Sequence, residues 1–362
     1  YHENVRDLLL HRWRQENAER CRELSGVAAD YYAERLEGEE LSEEQCAEWE
    51  REEMYHLLVA NEERGFGLFC EMFDRARRFY QLSTCDLLLG LAEEQESDLI
   101  PASRLWLRFF KGQVAYASAL WSEALEIWEA LDGEDLPEDL EGTLANDLGE
   151  VYRVKGKLDK AIECYQRSLA IKEKVGDEHG MAATFNNLGG VYQAKGEWDK
   201  AIGYFQRSLA ICEKVSNEYG MAYAFNNLGA VYRHKEEWDK AIGYFQRSLA
   251  IFEKMDNEHR VAITFNNLGE VYRVRGEWDK AIECYKRSLV IKEKVGDEHR
   301  VAYTYNNIAL LYQAQGRLEE AIPLFQKSLE ILERIGDEHH AKIGRKNLEE
   351  AKRRLEAKIG QG

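Results

Sequence analysis

The chain has 362 residues, of which 44% are hydrophobic and 32% charged, and a formal net charge of −18. So acidic a surface repels phosphate backbones and anionic lipid, which argues against nucleic acid and membrane as partners. The seven cysteines are odd in number and show no CxxC spacing, so free thiols that pack in the core of a cytoplasmic protein are expected rather than a disulfide frame.

The chain opens with "YHENVRDLLL", whose Val5, Leu8 and Leu9 suit one face of a helix. Its first residue is Tyr1 rather than Met, so it is expected to be a piece of a longer protein. Residues 14–100 show helical periodicity without an internal repeat. Within them "EREEMYHLLVANEERGFGLFCEMFDRARRFYQL" reads as one helical tract interrupted near Gly65, and antiparallel helix pairs are expected. Gly112 to Leu131 keeps Tyr116, Ala124 and Trp128 at places that the later repeat also fills, and reads as a degenerate unit. Asp132 to Gly142 is an acidic loop in which Pro137 breaks helix continuity.

From about Glu141 to Glu338 the sequence repeats with a period of 40, giving five clear units. In the unit from Ala182 to Met221, Phe185, Leu188 and Tyr192 fall on one helical stripe. Gly196 ends that helix. Trp198, Ala201, Ile202, Phe205 and Leu209 make a second stripe, and the chain turns again at Val215 to Asn217. Gly189 and Ala201 are the small residues that let the two helices approach. One such pair cannot bury both stripes, so neighbours must stack, and the fold class is all-α with a solenoid of helix pairs. The stretch from Ala341, "AKIGRKNLEEAKRRLEAKI", reads as a capping helix. The expected boundaries are 1–13, 14–140, 141–340 and 341–362.

This pattern resembles the tetratricopeptide repeat (TPR), through Phe185, Leu188, Gly189, Tyr192, Ala201 and Phe205. The longer period, with "NNLG" and "EEAIPLFQKSLEI", is most similar to the repeats of kinesin light chains and cell-polarity scaffolds. The resemblance implies a right-handed superhelix whose first helices line a concave groove for a protein or peptide. The expected groove residues then form ladders: Asn146, Asn186, Asn226, Asn266 and Asn306; Asn187, Asn227, Asn267 and Asn307, with Asp147 leading; and Arg153, Gln193, Arg233, Arg273 and Gln313. Tyr223 and Tyr303 add aromatic faces, and Glu150 and Glu270 negative spots. An asparagine amide carries donors and acceptors that suit a peptide backbone. In the family, the Asn at the place of Asn187 commonly serves this way. Arginines select carboxylate or phosphate by bidentate contact. The asparagines also have a purely structural reading, as bridges between adjacent helices.

A phosphate loop, HExxH and G-x-S-x-G are all missing from the sequence. An enzyme is the least expected class, with no cofactor. Asp-Glu-His recurs at Asp177, Asp297 and Asp337, with Asn257 related. Equivalent positions of stacked repeats lie too far apart to share a metal, so these residues are expected to cap helices. On the outer helix, Gln206-Arg207, Gln246-Arg247 and Lys286-Arg287 read as a solvated face. Gly203 and Gly243 have no functional account.

The first ten residues also resemble the end of the winged-helix domain of STAND-class signal-transduction ATPases, with His2 and Arg6 matching the motif that precedes a C-terminal sensor. That resemblance implies a ligand-sensing module. An inducer in the groove would relieve an autoinhibitory contact, possible only where it favours one state over another, and the upstream nucleotide-binding domains of the same chain would be further partners. The other readings are a constitutive adaptor of kinesin-light-chain type and a peptide-pheromone receptor, which needs residues 14–100 to form a three-helix bundle.

Overall fold

A computed structural model describes residues 17–38, 41–78, 81–96 and 99–359, so the expected winged-helix tail with His2 and Arg6 lies outside the described residues. Every regular element among the described residues is an α-helix. The chain divides into two compact units between Val175 and Gly176.

In the first unit, α1 (Ala18–Gly38), α2 (Glu43–Ala60), α3 (Glu62–Arg78), α4 (Leu82–Glu93), α5 (Pro101–Ala117), α6 (Trp121–Leu131), α7 (Glu138–Val154) and α8 (Leu158–Val175) pack in chain order. The tract expected to break near Gly65 breaks earlier, at Asn61, and Gly65 lies inside α3. Asn61 closes α2 through its backbone N–H, which donates to the Leu57 carbonyl. Its side-chain oxygen caps α3 by accepting from the Arg64 amide at 3.2 Å. A single polar residue thus satisfies orphan groups of both helix ends. Pro137 stands at the N-cap of α7, where the fixed φ of proline is tolerated.

The second unit comprises α9 (Glu178–Ala194), α10 (Trp198–Lys214), α11 (Glu218–His234), α12 (Trp238–Lys254), α13 (Glu258–Val274), α14 (Trp278–Val295), α15 (Glu298–Ala314), α16 (Leu318–Arg334) and α17 (Glu338–Ile359). Each odd-numbered helix up to α15 pairs with the one that follows, and α17 closes on α16. Successive first helices also touch, α9 with α11 and α11 with α13.

Two contacts fix the register of every pair. A ring of the second helix lies on a glycine of the first, or on Ala309 in the pair α15–α16: a Cβ at Gly229 would come within 2.8 Å of the Phe245 ring. Phe205, Phe245, Tyr285 and Phe325 are completely buried, each contributing roughly 2 kcal/mol or more of apolar burial. Beside them a buried serine hydroxyl donates to a first-helix carbonyl, Ser208 to Ala182 and Ser288 to Ala262 at 2.8 Å and Ser248 to Ala222 at 2.9 Å. The degenerate pair α5–α6 keeps the same device with Trp128 against Gly112, and the Trp128 indole N–H donates to the Phe109 carbonyl at 3.1 Å.

The Asp-Glu-His tripeptides cap helices, as their position in the turns predicts. Asp177, Asn217, Asn257, Asp297 and Asp337 each accept from the amide three residues on. Among the described residues no group of three His, Cys, Asp or Glu is placed to hold a metal ion.

The turns need a left-handed residue. Gly196, Gly276 and Gly316 supply it within units at φ of 73° to 77°, and Gly296 and Gly336 supply it between units at 75°. The pair α11–α12 is different. Ser216 (φ 54°) precedes it, Glu236 (φ 60°) joins its helices and Asp256 (φ 50°) follows it. A Cβ makes this conformation cost roughly 1–2 kcal/mol. Glu236→Gly is therefore expected to stabilise the protein by about 1 kcal/mol, read as a higher midpoint in urea unfolding followed by circular dichroism. An unchanged or lower midpoint would refute the strain.

Candidate ligand-binding face

The expected groove residues lie on the first helices, which stand side by side within the second unit. The two asparagine ladders turn out to bond to each other. Asn227 Nδ2 donates to Asn186 Oδ1 at 2.8 Å, and Asn267 Nδ2 to Asn226 Oδ1 at 3.1 Å. The same bond joins Asn347 to Asn306 at 3.1 Å. The bridging role is thus real, and it occupies one amide group per asparagine while leaving each residue half-buried. Asn347 was missed in the sequence. Its signal was the Asn-Leu pair 40 residues after Asn307-Ile308, which makes α17 a sixth first helix as well as a cap.

Within the second unit the row breaks at Asn266. Among the described residues Asn307 makes no such bond to Asn266; the Lys292 ammonium donates to Asn266 Oδ1 at 3.5 Å and to Thr304 Oγ1 at 2.9 Å. Lys292 is buried and stands where the other pairs of the second unit have Cys212, Phe252 and Leu332, and where α8 has the likewise buried Lys172. Burial pushes its pKa down to about 8, and the nearby Arg300 guanidinium adds to the shift.

The arginine row is not uniform either. Arg273 pairs with Glu270 at 2.8 Å, three residues before it on the same helix. Glu270 also accepts from the Tyr285 hydroxyl at 2.5 Å. The same trio recurs in the first unit, where Arg153 pairs with Glu150 and the Tyr165 hydroxyl donates to Glu150 at 2.8 Å. Burial pushes the Glu150 carboxyl up, but bonds from Arg153, Tyr165 and Tyr116 outweigh it and hold the pKa below the ordinary range. The expected cationic spots at Arg153 and Arg273 are therefore neutralised from within. Arg233 has Ala230 at the glutamate place and Phe245 at the tyrosine place. Among the described residues it forms no ion pair. Gln193 is half-buried, and Gln313 buries its Oε1 without a hydrogen-bond partner.

Asn146 donates to Asp147 at 3.2 Å, and Gln113 donates to the same carboxylate at 2.9 Å. Burial raises the Asp147 pKa. Tyr223 lies under the Arg260 guanidinium, 4.3 Å from its ring centre, and shares a hydroxyl contact of 2.9 Å with Tyr219. Tyr303 is held by Asp337 at 3.3 Å. On the second helices the arginines do more than meet solvent: Arg207 and Arg247 cover the Phe185 and Phe225 rings at 4.6 and 3.9 Å. No helix among the described residues is long and apolar enough to cross a membrane.

The sequence profile described as Tetratricopeptide repeat matches successive overlapping segments, 107–174, 140–214, 180–254, 220–294, 260–334 and 300–356. No curated protein sequence matches the chain. Among solved structures, a Signal Transduction ATPase with Numerous Domains (STAND) protein with a tetratricopeptide repeat sensor, from Pyrococcus horikoshii, aligns with a TM-score of 0.72 and 16% identity. That alignment covers 90% of this chain and 49% of that protein, so this chain spans about half its length. A Rap protein complexed with competence and sporulation factor gives 0.57 at 15% identity, over 92% and 99% of the two chains. BtubC (BKLC) from P. vanneervenii gives 0.53 at 24%, over 60% and 90%. These likenesses concern the fold.

The buried lysine makes a pH-dependent prediction. The unfolded chain holds the Lys292 proton up to about pH 10.4, the folded chain only to about 8. Between those values the unfolded state binds more protons, so this group's contribution to stability rises with pH and is lost as pH falls through 8. Lys292→Leu is expected to stabilise the protein at pH 7 by about 1 kcal/mol. The gain should shrink towards pH 10, measured as wild-type and variant unfolding midpoints across that range. A pH-independent difference would refute the account.

Proposed function

The chain belongs to the tetratricopeptide-repeat family, and from that premise we propose that it is a sensor: it binds an extended protein or peptide along the face of its first helices and thereby regulates an attached STAND ATPase. The observation that carries the binding half is the asparagine row. Each bridging amide spends one group on its neighbour and keeps the other for a ligand backbone, so main-chain recognition fits a row whose spacing is set by the repeat itself. Asn226, Asn227, Asn266 and Asn267 are the central contacts, flanked by Tyr223, Gln193 and Arg233, with Asn306, Asn307 and Tyr303 further along. TPR repeats are in general non-catalytic interaction modules, which suits a regulatory part.

The regulatory half rests on His2 and Arg6 in the sequence and on a fold likeness to a STAND protein that extends over 90% of this chain. Inducer binding would compete with an autoinhibitory contact, which requires only that the inducer prefer the released state. A peptide-receptor reading draws on the Rap fold, which aligns over nearly the whole of both chains. It ranks second because residues 18–93 hold four helices packed in chain order, where that reading expects three in a bundle.

Two measurements test the proposal. A G-x-x-x-x-G-K-[ST] phosphate loop encoded upstream of Tyr1 is expected, and an unrelated coiled coil there would overturn the STAND assignment in favour of an adaptor. Peptides selected by display on the wild-type chain are expected to lose at least about tenfold in affinity when Asn227, Arg233 and Asn267 are changed together to alanine, with helicity by circular dichroism retained. Peptides that bind the triple variant unchanged would place the binding face elsewhere.

A further inference from the structure

In the five repeats the residue three before the arginine or glutamine row, the row residue itself and the buried ring covary. Glu150, Arg153 and Tyr165 form one set, and Glu270, Arg273 and Tyr285 another. The remaining sets are Gly190, Gln193 and Phe205; Ala230, Arg233 and Phe245; and Leu310, Gln313 and Phe325. Where the ring carries a hydroxyl, a glutamate is present to accept from it and to neutralise the arginine. Where the ring is phenylalanine the glutamate is gone. In four of the five sets the row residue matches that state: arginine with glutamate, glutamine without it. The set of Ala230, Arg233 and Phe245 alone keeps the arginine after losing its carboxylate.

Arg233 is half-buried, so its charge is not simply dissolved in solvent. Its field reaches the next residue: burial and the Arg233 charge together lower the pKa of His234, whose ring stacks on Trp198 at 4.9 Å. Ala230 stands where the other two arginine-bearing repeats carry a glutamate side chain, and on α9, which touches α11, Gly190 also lacks a side chain and a Cβ there would meet nothing within 4 Å. Asn226 and Asn227 sit about two helical turns before Arg233 on the same helix. The patch therefore combines an unneutralised guanidinium, truncated neighbours and amides, in a chain of net charge −18.

We propose that Arg233 is an anion subsite for a carboxylate side chain of the bound peptide, which takes the place that Glu270 and Glu150 occupy beside their own arginines. The inference rests on the peptide-binding reading and deepens it: the partner segment carries Asp or Glu at the position that meets α11. A carboxylate is the group chosen because the protein itself shows it fitting this arginine position twice, once as Glu150 on Arg153 and once as Glu270 on Arg273. A planar guanidinium receives it through paired hydrogen bonds.

The test is a display selection of random dodecamer peptides on three proteins in parallel: wild type, Ala230→Glu, and Ala230→Glu with Phe245→Tyr. The double variant rebuilds the complete trio of the neighbouring repeat, so it is expected to fold as that repeat does. Wild-type pools should be enriched in Asp and Glu at one position, and both variants should lose that enrichment while still selecting peptides. A peptide from the wild-type pool should bind each variant, and Arg233→Ala, about tenfold more weakly, while its Asp→Asn or Glu→Gln form binds all four proteins alike. If the wild type selects peptides with no acidic position, or the variants keep the enrichment, the anion subsite is refuted and the peptide-binding reading stands. If the wild type selects no peptide at all, both fall.

Discussion

In every pair of the repeat an aromatic ring from one helix rests where the partner helix has almost no side chain. Tyr165 on Gly149, Phe205 on Gly189, Phe245 on Gly229 and Tyr285 on Gly269 are instances, and the degenerate pair has Trp128 on Gly112. The contact sets how near the two helices come, and it brings the serine hydroxyl of the second helix within bonding distance of a carbonyl of the first. It also leaves each pair with apolar faces that only another pair can cover, as in the cluster that joins Phe205, Leu228, Phe245 and Leu268. Stacking follows from that shortage. The side-by-side first helices, and hence the asparagine rows, are its by-products.

The same ring ties the interior to the surface. Adding one hydroxyl to a buried phenyl group creates a donor that must be satisfied. In the first and fourth repeats a glutamate answers it and then holds an arginine. A choice made in the core thus decides whether a surface cation is free or spent. Near-identical repeats make this coupling visible because little else changes between them. They also show that repetition need not give a uniform face: in the second unit Lys292 interrupts the amide row, and one alanine, Ala230, exposes a charge.

Much of the architecture was legible beforehand. The 40-residue period, the two stripes, the glycine stops and the Asp and Asn caps all rest on local chemistry, and local chemistry is written in neighbouring residues. The break at Asn61 was less so, because Gly65 is the louder signal, although its lack of a side chain lets α3 approach the Leu57–Leu58 backbone of α2. The candidate face was legible as a set of positions but not as a set of states. Glu270 read as a negative spot and Arg273 as a positive one, whereas they cancel. Recognising this needed the i, i+3 pair together with a tyrosine 15 residues later on another helix. The role of Asn347 was hidden by the more charged sequence around it. Arg207 and Arg247 read as solvated because composition says nothing of the rings beneath them.

The left-handed turns around α11 and α12 carry one more consequence. A stack of repeats behaves approximately as a line of links, each coupled to its nearest neighbours, and its cooperativity is set by the weakest. Ser216, Glu236 and Asp256 put that link in the middle of the second unit rather than at an end. Local opening should then begin there, with the amides of α11 and α12 exchanging their hydrogens ahead of those of α13 and α14. Arg233 lies on this pair. A segment held across it would tighten the link that most readily lets go, and the proposed binding face and the fault line of the stack would be the same helices.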